Sequence, residues 1–178
     1  LSFYSLFSTA AKSQHPRPQR AAFSFLEEKP MHLSPIGLSL LKKSEGFRDR
    51  VYADVAGFPT IGFGHRLSAD EAYPIGISLL QGEALLSQDL AIAEAVVDRL
   101  VKVTVTQGQF DALVDFVFNL GAGRLASSTL LRYLNTGKSD AAAWELLAWD
   151  HAGSREIASL KARREAEFQL WNPHSAAA

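Results

Sequence analysis

The sequence predicts an α+β protein in which a small N-terminal β region packs beside a larger helical lobe, with a cleft between them. Three observations carry this. A capped apolar helix opens the patterned part of the chain at Ser34. A run of aromatic and β-branched residues, broken by glycines, follows from Phe47 to His65. Beyond Ser68 the apolar residues recur at steps of three and four almost to the end.

Residues 1–30 differ from the rest. Pro16, Pro18 and Pro30 interrupt them, and no apolar period is sustained, so they read as a poorly ordered extension or leader. The apolar stretch Leu1 to Ala11 precedes the basic stretch Lys12 to Arg20, the reverse of the order in a secretory signal. The only methionine is Met31, where the patterned sequence begins, and one reading makes it the native start. The domain itself is expected over residues 31–172, with 173–178 as a tail.

Within the domain, Ser34 is an N-cap with Pro35 in the first helical position. Ile36, Leu40 and Leu41 give this helix its apolar side, and Gly46 closes it, so Glu45 falls in the last turn. Gly57, Pro59, Gly62 and Gly64 among Val51, Tyr52, Phe58, Ile61 and Phe63 indicate short strands and a tight turn. After Ser68 the chain reads as helices. Leu86, Leu90, Ala93, Val97 and Leu100 mark one face. Thr106-x-x-Gln109 is a capping box opening a helix with Phe110, Leu113, Val114 and Val117, ended by Gly121. Ser128 caps a short helix that closes near Asn135 to Gly137. Ser139 caps another, and a last helix runs from about Arg155 to Trp171. Leu90 and Phe110 are expected in the core. Trp144, Trp149 and Trp171 stand at helical spacings and are read as core as well.

Composition removes several function classes. The chain has 178 residues, 47% hydrophobic and 21% charged, as an ordinary globular domain does. Its net charge of −1 argues against a surface built for nucleic acid. Without cysteine there is no disulfide, thiol nucleophile or thiolate metal site. The five histidines have no helical ligand spacing, so no metal is expected. No run approaches the roughly 20 apolar residues that span a bilayer, so no stable membrane insertion is expected. The expected state is a monomer.

The chemistry concentrates between residues 44 and 65. Glu45 sits at the negative end of a helix dipole beside Phe47, where a carboxyl group favours keeping its proton, as a general acid must. By itself this is also what a surface glutamate at a helix end looks like. Asp54 and Thr60 are symmetric about Gly57, and a reversal there would set them face to face, close enough to hold a water between them. A plain turn closed by Asp54 on its own backbone reads equally well. Gly62 and Gly64 alternate along one strand and would let a ligand approach the backbone. Taken together, a protonated carboxyl, a second carboxylate and a hydroxyl aiming water make the set that hydrolyses an acetal such as a glycosidic bond. That chemistry needs no metal or organic cofactor.

Glu45-Gly46, Tyr52-x-Asp54-x-x-Gly57 and Thr60-Ile61-Gly62-x-Gly64-His65 resemble the signature of the phage-type lysozymes, family 24 of the glycoside hydrolases. The likeness extends over roughly residues 34–172, through Gln109-Phe110-Asp111, Phe118-Asn119-Leu120-Gly121, Trp149 and Arg163-Arg164-x-x-Glu167. Ser159-Leu160 stands where the family more typically has Gly-Leu. The resemblance implies a lysozyme-like fold. It also implies a muramidase that cuts the β-1,4 bond between N-acetylmuramic acid and N-acetylglucosamine with inversion, as a phage or prophage endolysin. It implies Glu45 as acid, Asp54 as base or electrostatic partner and Thr60 as the water-positioning hydroxyl. Gly62, Gly64, Phe118 and Asn119 are expected to bind substrate.

His65 is read as a structural group near the site. The mixed charges of the last helix read as a solvated face plus one packed arginine. Peptidoglycan is the expected partner, with a separate holin-type protein releasing the enzyme from the host cytoplasm to the wall, or export by the N-terminal segment as the other route. The competing functions are a lytic transglycosylase, which needs no positioned water, and a catalytically inert wall-binding relative.

Overall fold

The structure is a computed structural model and describes residues 30–54 and 56–172. The expectations for residues 1–29 and for the 173–178 tail lie outside the described residues. In chain order the elements are α1 (Pro35–Glu45), β1 (Arg48–Ala53), β2 (Pro59–Gly62), β3 (His65–Arg66), α2 (Leu79–Leu100), α3 (Gln107–Leu120), α4 (Ala122–Ser127), α5 (Thr129–Asn135), α6 (Ser139–Leu146), β4 (His151–Ala152), β5 (Arg155–Glu156) and α7 (Ala158–Trp171).

Local chemistry explains most boundaries. The Ser34 hydroxyl accepts the Gly37 N–H, and Pro35 supplies a preset φ at the helix start. Gly46 ends α1 at φ 68°, a conformation that L side chains resist, while its N–H caps the Lys42 carbonyl. The capping box at Thr106 starts α3, and Gly121 stops it. A second box, Ser78 with Gln81, starts α2. The stretch just after Ser68, where the chain was expected to become helical, is instead a turn-rich connection up to that box.

Two other boundaries depart from the sequence reading. Ser139 begins α6 rather than capping it; its hydroxyl instead accepts from Gln109 and from the Trp171 indole. The last helix starts at Ala158, because His151–Ala152 and Arg155–Glu156 pair as a small hairpin around Gly153. The short helix α4 follows directly on Gly121 and was not foreseen.

β1, β2 and β3 form one antiparallel sheet in that order, and β2 and β3 rest against α2. A small cluster of Ile61, Ile77 and Leu85 fills this junction. The main core lies among the helices, around Leu41, Leu90, Phe110, Leu113, Phe116, Leu130 and Leu146. Burying each Leu or Phe of this kind contributes about 1.5–3 kcal/mol. Leu90 and Phe110 are buried as expected, and Trp171 is too. Trp149 is partly buried and meets the Phe116 ring edge-on. Trp144 is not a core residue: it is 65% exposed and lies against Phe168.

Two tight fits set how closely α1 and α7 pack on α3. A Cβ on Gly37 would lie 2.8 Å from Asp111 Cγ, so α1 can approach α3 only through a glycine. Asp111 fastens that approach by accepting from the Ser34 N–H and hydroxyl and from Gln107. Likewise a Cβ on Gly108 would lie 2.0 Å from the Leu170 carbonyl oxygen, which sets how closely α3 and α7 pack.

Candidate active site

A groove of about 590 Å³ runs between the sheet and the helical lobe. Its walls take Glu45 from the end of α1, Tyr52, Asp54, Thr60, Gly64 and Arg66 from the sheet side, Asp89 and Ile92 from α2, and Phe118 and Asn119 from α3. All three expected catalytic residues therefore line one groove, as do Gly64, Phe118 and Asn119.

Gly62 does not belong to this lining. It faces α2, where a Cβ would stand 3.3 Å from Ile77 and 3.5 Å from the Gly82 backbone. Its missing side chain serves sheet-to-helix packing and not ligand approach. Gly64 does line the groove. At φ 86° it favours glycine, and a Cβ there would lie 3.1 Å from Glu45 Oε2. The space beside the Glu45 carboxyl exists because this residue has no side chain.

Glu45 is the last residue of α1, and its side chain keeps 20% exposure. Its Oε1 accepts from Arg163 Nη1 at 2.6 Å. Arg163 projects from α7 and also grips the buried Asp115 of α3 with Nε at 2.8 Å and Nη2 at 2.9 Å. Burial opposes the Arg163 charge, but Asp115 and Glu45 outweigh it and raise its pKa further, so it stays cationic. The negative end of α1 thus meets a fixed positive charge. Behind it, Arg164 donates to Glu167 at 2.5 Å and to Asn119 at 3.2 Å, and burial pushes the Glu167 carboxyl well above its ordinary value. Two buried arginines on α7, where one was expected, tie the helical lobe to the groove floor.

The sheet register corrects the geometry expected for Asp54 and Thr60. Thr60 pairs with Tyr52, Ala53 with Pro59, and the Asp54 N–H donates to the Phe58 carbonyl at 2.9 Å. The reversal is centred on Ala56 and not on Gly57. Its cause is Asp54 itself, whose Oδ1 accepts the N–H groups of Ala56 and Phe58, each at 2.8 Å, and closes the turn one residue early. Asp54 and Thr60 therefore lie on a diagonal of one sheet face. Thr60 is buried between Tyr52 on β1 and Arg66 on β3, and its hydroxyl donates to the Phe58 carbonyl at 3.0 Å. Its lone pairs remain to accept from water.

Asp54 Oδ2 accepts from Arg66 Nε at 3.1 Å and Nη2 at 2.7 Å. The Phe58 N–H above all, with Ala56 and Arg66 adding to it, holds the Asp54 carboxyl below its ordinary value of 3.8 despite some desolvation. Tyr52 moves the other way. Burial and the charges of Glu45 and Asp54 raise its phenol above 10.0 even though Arg48 opposes this, so it remains a neutral hydroxyl in the groove.

His65 stays just behind the site as a clasp. Nδ1 faces Asp89 at 2.9 Å, and Nε2 faces Glu71 at 3.1 Å. Burial lowers its pKa, but the two carboxylates outweigh burial and the net shift is upward from 6.5. Among the described residues, no group of three or more His, Cys, Asp or Glu side chains is placed to hold a metal ion. Nor is any described helix long and apolar enough to cross a membrane.

Sequence reasoning did not assign Tyr52, Arg66, Asp89 or Arg163 to the site. Tyr52 and the Arg163-Arg164-x-x-Glu167 spacing stood inside recognised motifs, so a signal existed for those two. Arg66 and Asp89 carried none, since each meets its partner only through the fold.

A model of the phage lysozyme family matches residues 42–167. The chain is 44% identical over 144 residues to an endolysin of Bacillus phage B103, covering 79% of this chain and 54% of that relative. It is 39% identical over 137 residues to the endolysin of Salmonella phage P22, covering 75% of this chain and 94% of that one. The chain thus spans about half the length of the Bacillus phage relatives it matches and nearly all of the P22 relative. Among solved structures it superposes on the muramidase domain of SpmX from Asticaccaulis excentricus with a TM-score of 0.72 at 34% identity, covering 80% of this chain and 99% of that one. The family model covers more than half of the chain, the P22 relative agrees with it, and the chain belongs to the phage lysozyme family.

Proposed function

We propose that this chain is an endolysin that hydrolyses the glycan strands of bacterial peptidoglycan, at the β-1,4 bond between N-acetylmuramic acid and N-acetylglucosamine. The observation that carries the reading is that Glu45, Asp54 and Thr60 line one groove of about 590 Å³, between the sheet and the helical lobe.

In this mechanism Glu45 donates its proton to the leaving glycosidic oxygen. Arg163 holds Oε1, which leaves Oε2 beside Gly64 to carry that proton. The guanidinium also favours the carboxylate that forms as the proton leaves, so it stabilises the transition state more than the ground state. Positive charge grows on the sugar as the bond breaks. Asp54 meets it as a fixed anion: each of its oxygens already accepts two donors, which fills its ordinary acceptor capacity. Thr60 accepts from the attacking water and turns a water lone pair toward the sugar carbon; as that C–O bond forms the water gives up a proton to solvent in the groove, and solvent returns a proton to the Glu45 carboxylate. Product of inverted configuration is the expected result.

The wall is reached after release from the host cytoplasm, by a separate membrane-disrupting protein, and the enzyme acts as a monomer. The test is a clearing assay on purified walls with the parent and Glu45→Gln. The parent is expected to clear them, and the variant to bind walls without clearing. Equal clearing by both would remove Glu45 from its role, and anhydro sugar ends in the products would favour a transglycosylase.

A further inference from the structure

Arg66 was not expected in the site, yet it stands on the groove wall in the same cross-strand row as Tyr52 and Thr60. Three contacts fix it. Nε and Nη2 form a two-pronged bond to Asp54 Oδ2 at 3.1 and 2.7 Å. Its guanidinium lies 4.5 Å from the centre of the Phe58 ring. Its backbone pairs with Thr60. The Phe58 ring is half exposed and contributes nothing to either hydrophobic core, so its visible work is to carry the Arg66 plane.

We propose that Arg66 is a positioning residue for the hydrolysis inferred above, clamping the Asp54 carboxylate in one orientation toward the groove and keeping it anionic during turnover. The two oxygens of Asp54 have separate guardians. Backbone N–H groups of the turn hold Oδ1, and Arg66 alone holds Oδ2. Without Arg66, Oδ2 is the oxygen set free, and the carboxylate can rotate or take a proton. Two N–H groups of one rigid plane converge on that single oxygen and fix its place more tightly than a lone, freely turning ammonium does.

The other charges around Asp54 do not replace Arg66. Tyr52 on β1 is neutral, and Arg48 of β1 lies over the Tyr52 ring, 4.5 Å from its centre. Glu45 at the end of α1 and Asp89 on α2 line the same groove and are acidic. On α7, Arg163 is committed to Asp115 and Glu45, and Arg164 to Glu167 and Asn119. Removing Arg66 therefore leaves Asp54 with backbone donors and acidic neighbours. Its protonation moves to higher pH, and the acid limb of the rate profile moves with it.

The experiment compares Arg66→Ala, Arg66→Lys and Phe58→Leu with the parent in full-length protein. Rates on soluble peptidoglycan fragments are taken across pH, and the Asp54 side-chain carboxyl carbon is titrated by NMR. For Arg66→Ala the expected result is a fall in kcat of about tenfold to a hundredfold with KM little changed. The Asp54 titration and the acid limb both move up, though the Phe58 and Ala56 N–H groups keep the move partial. Arg66→Lys restores the titration by its charge but recovers kcat only in part. Phe58→Leu shifts both readouts in the same direction by less. Arg66→Ala with unchanged kcat and an unmoved Asp54 titration overturns the proposal. So does a loss confined to KM, which would make Arg66 a sugar contact. The carboxyl titration reads the clamp without turnover. A parent inactive on walls would therefore count against the hydrolase reading, and an unmoved titration against Arg66.

Discussion

Arg163 and Glu45 stand 118 residues apart in the chain, and the first donates to the second at 2.6 Å while its other face grips the buried Asp115. One guanidinium therefore serves the groove and the core at once. Arg163→Gln is expected to lower stability by about 3–5 kcal/mol, because the buried Asp115 loses the guanidinium that pairs with both of its oxygens. Activity is expected to fall about a hundredfold even at temperatures where the variant remains folded. Urea unfolding and rate measurements on the same sample check both parts. A variant that loses stability but keeps its rate would reduce Arg163 to a structural residue.

Gly64 makes room for the acid. Gly64→Ala is expected to strain the backbone by about 1–2 kcal/mol, since φ is 86° there. Its new Cβ would also press on Glu45 Oε2 at 3.1 Å. Gly137, at φ 76° with nothing within 4 Å of its would-be Cβ, separates the two effects. Gly64→Ala and Gly137→Ala should lose similar stability, while only the first loses activity, by about tenfold or more. Equal activity in the two variants would show that the space beside Glu45 is not needed.

The His65 clasp gives the fold a pH signature. His65 is raised above 6.5, so its contribution to stability is complete below pH 6.5 and is lost as pH rises through the raised value. Glu71 is held down to about 2, chiefly by the Ser68 hydroxyl and N–H and then by His65, so its contribution is complete above 4.5 and is lost as pH falls toward 2. The melting-temperature difference between the parent and His65→Gln should be widest between pH 4.5 and 6.5 and narrow on both sides. A difference that stays constant from about pH 3 to about pH 9 would contradict a charged clasp.

Helix propensity and packing make opposite forecasts at Gly108. In an exposed helix, alanine for glycine would add about 1 kcal/mol of stability. Here the added Cβ would lie 2.0 Å from the Leu170 carbonyl oxygen, so α7 must retreat from α3. Gly108→Ala is expected to destabilise by about 1–3 kcal/mol, as overpacking does. It should also weaken activity by moving Arg163, which rides on α7. Thermal melts and a wall-clearing rate test this, and a stabilised variant would mean that α7 is free to slide.

The helix ends were legible because they are written in short-range chemistry. Ser34, Thr106 and Ser128 cap helices as their spacing predicts, and Gly46 and Gly121 end them. Those two glycines put Glu45 at an exit and Phe118 and Asn119 on the last turn of α3. Where local signals were ambiguous, the reading slipped. Ser139 looks like a cap, but its hydroxyl serves Gln109 and Trp171 from other helices. Trp144 has helical spacing and a large ring, yet its side of α6 faces solvent. Gly57 looked like the centre of the hairpin, but the Asp54 carboxylate took the turn's N–H groups and moved that centre to Ala56.

The sequence by itself determined which side chains are candidates for the chemistry: an acid at a helix exit, a second acid at a turn, a hydroxyl on a strand, and a glycine that the fold sets beside the first acid. These depend on bonds between near neighbours, whose geometry the backbone restricts to a few choices. Only the tertiary structure decided which charges stand against them, Arg163 on Glu45 and Arg66 on Asp54, and that Gly62 packs on a helix while Gly64 opens the groove. Such contacts depend on how whole elements pack, and a shift of one turn or one register would exchange every partner while leaving the local signals as they are.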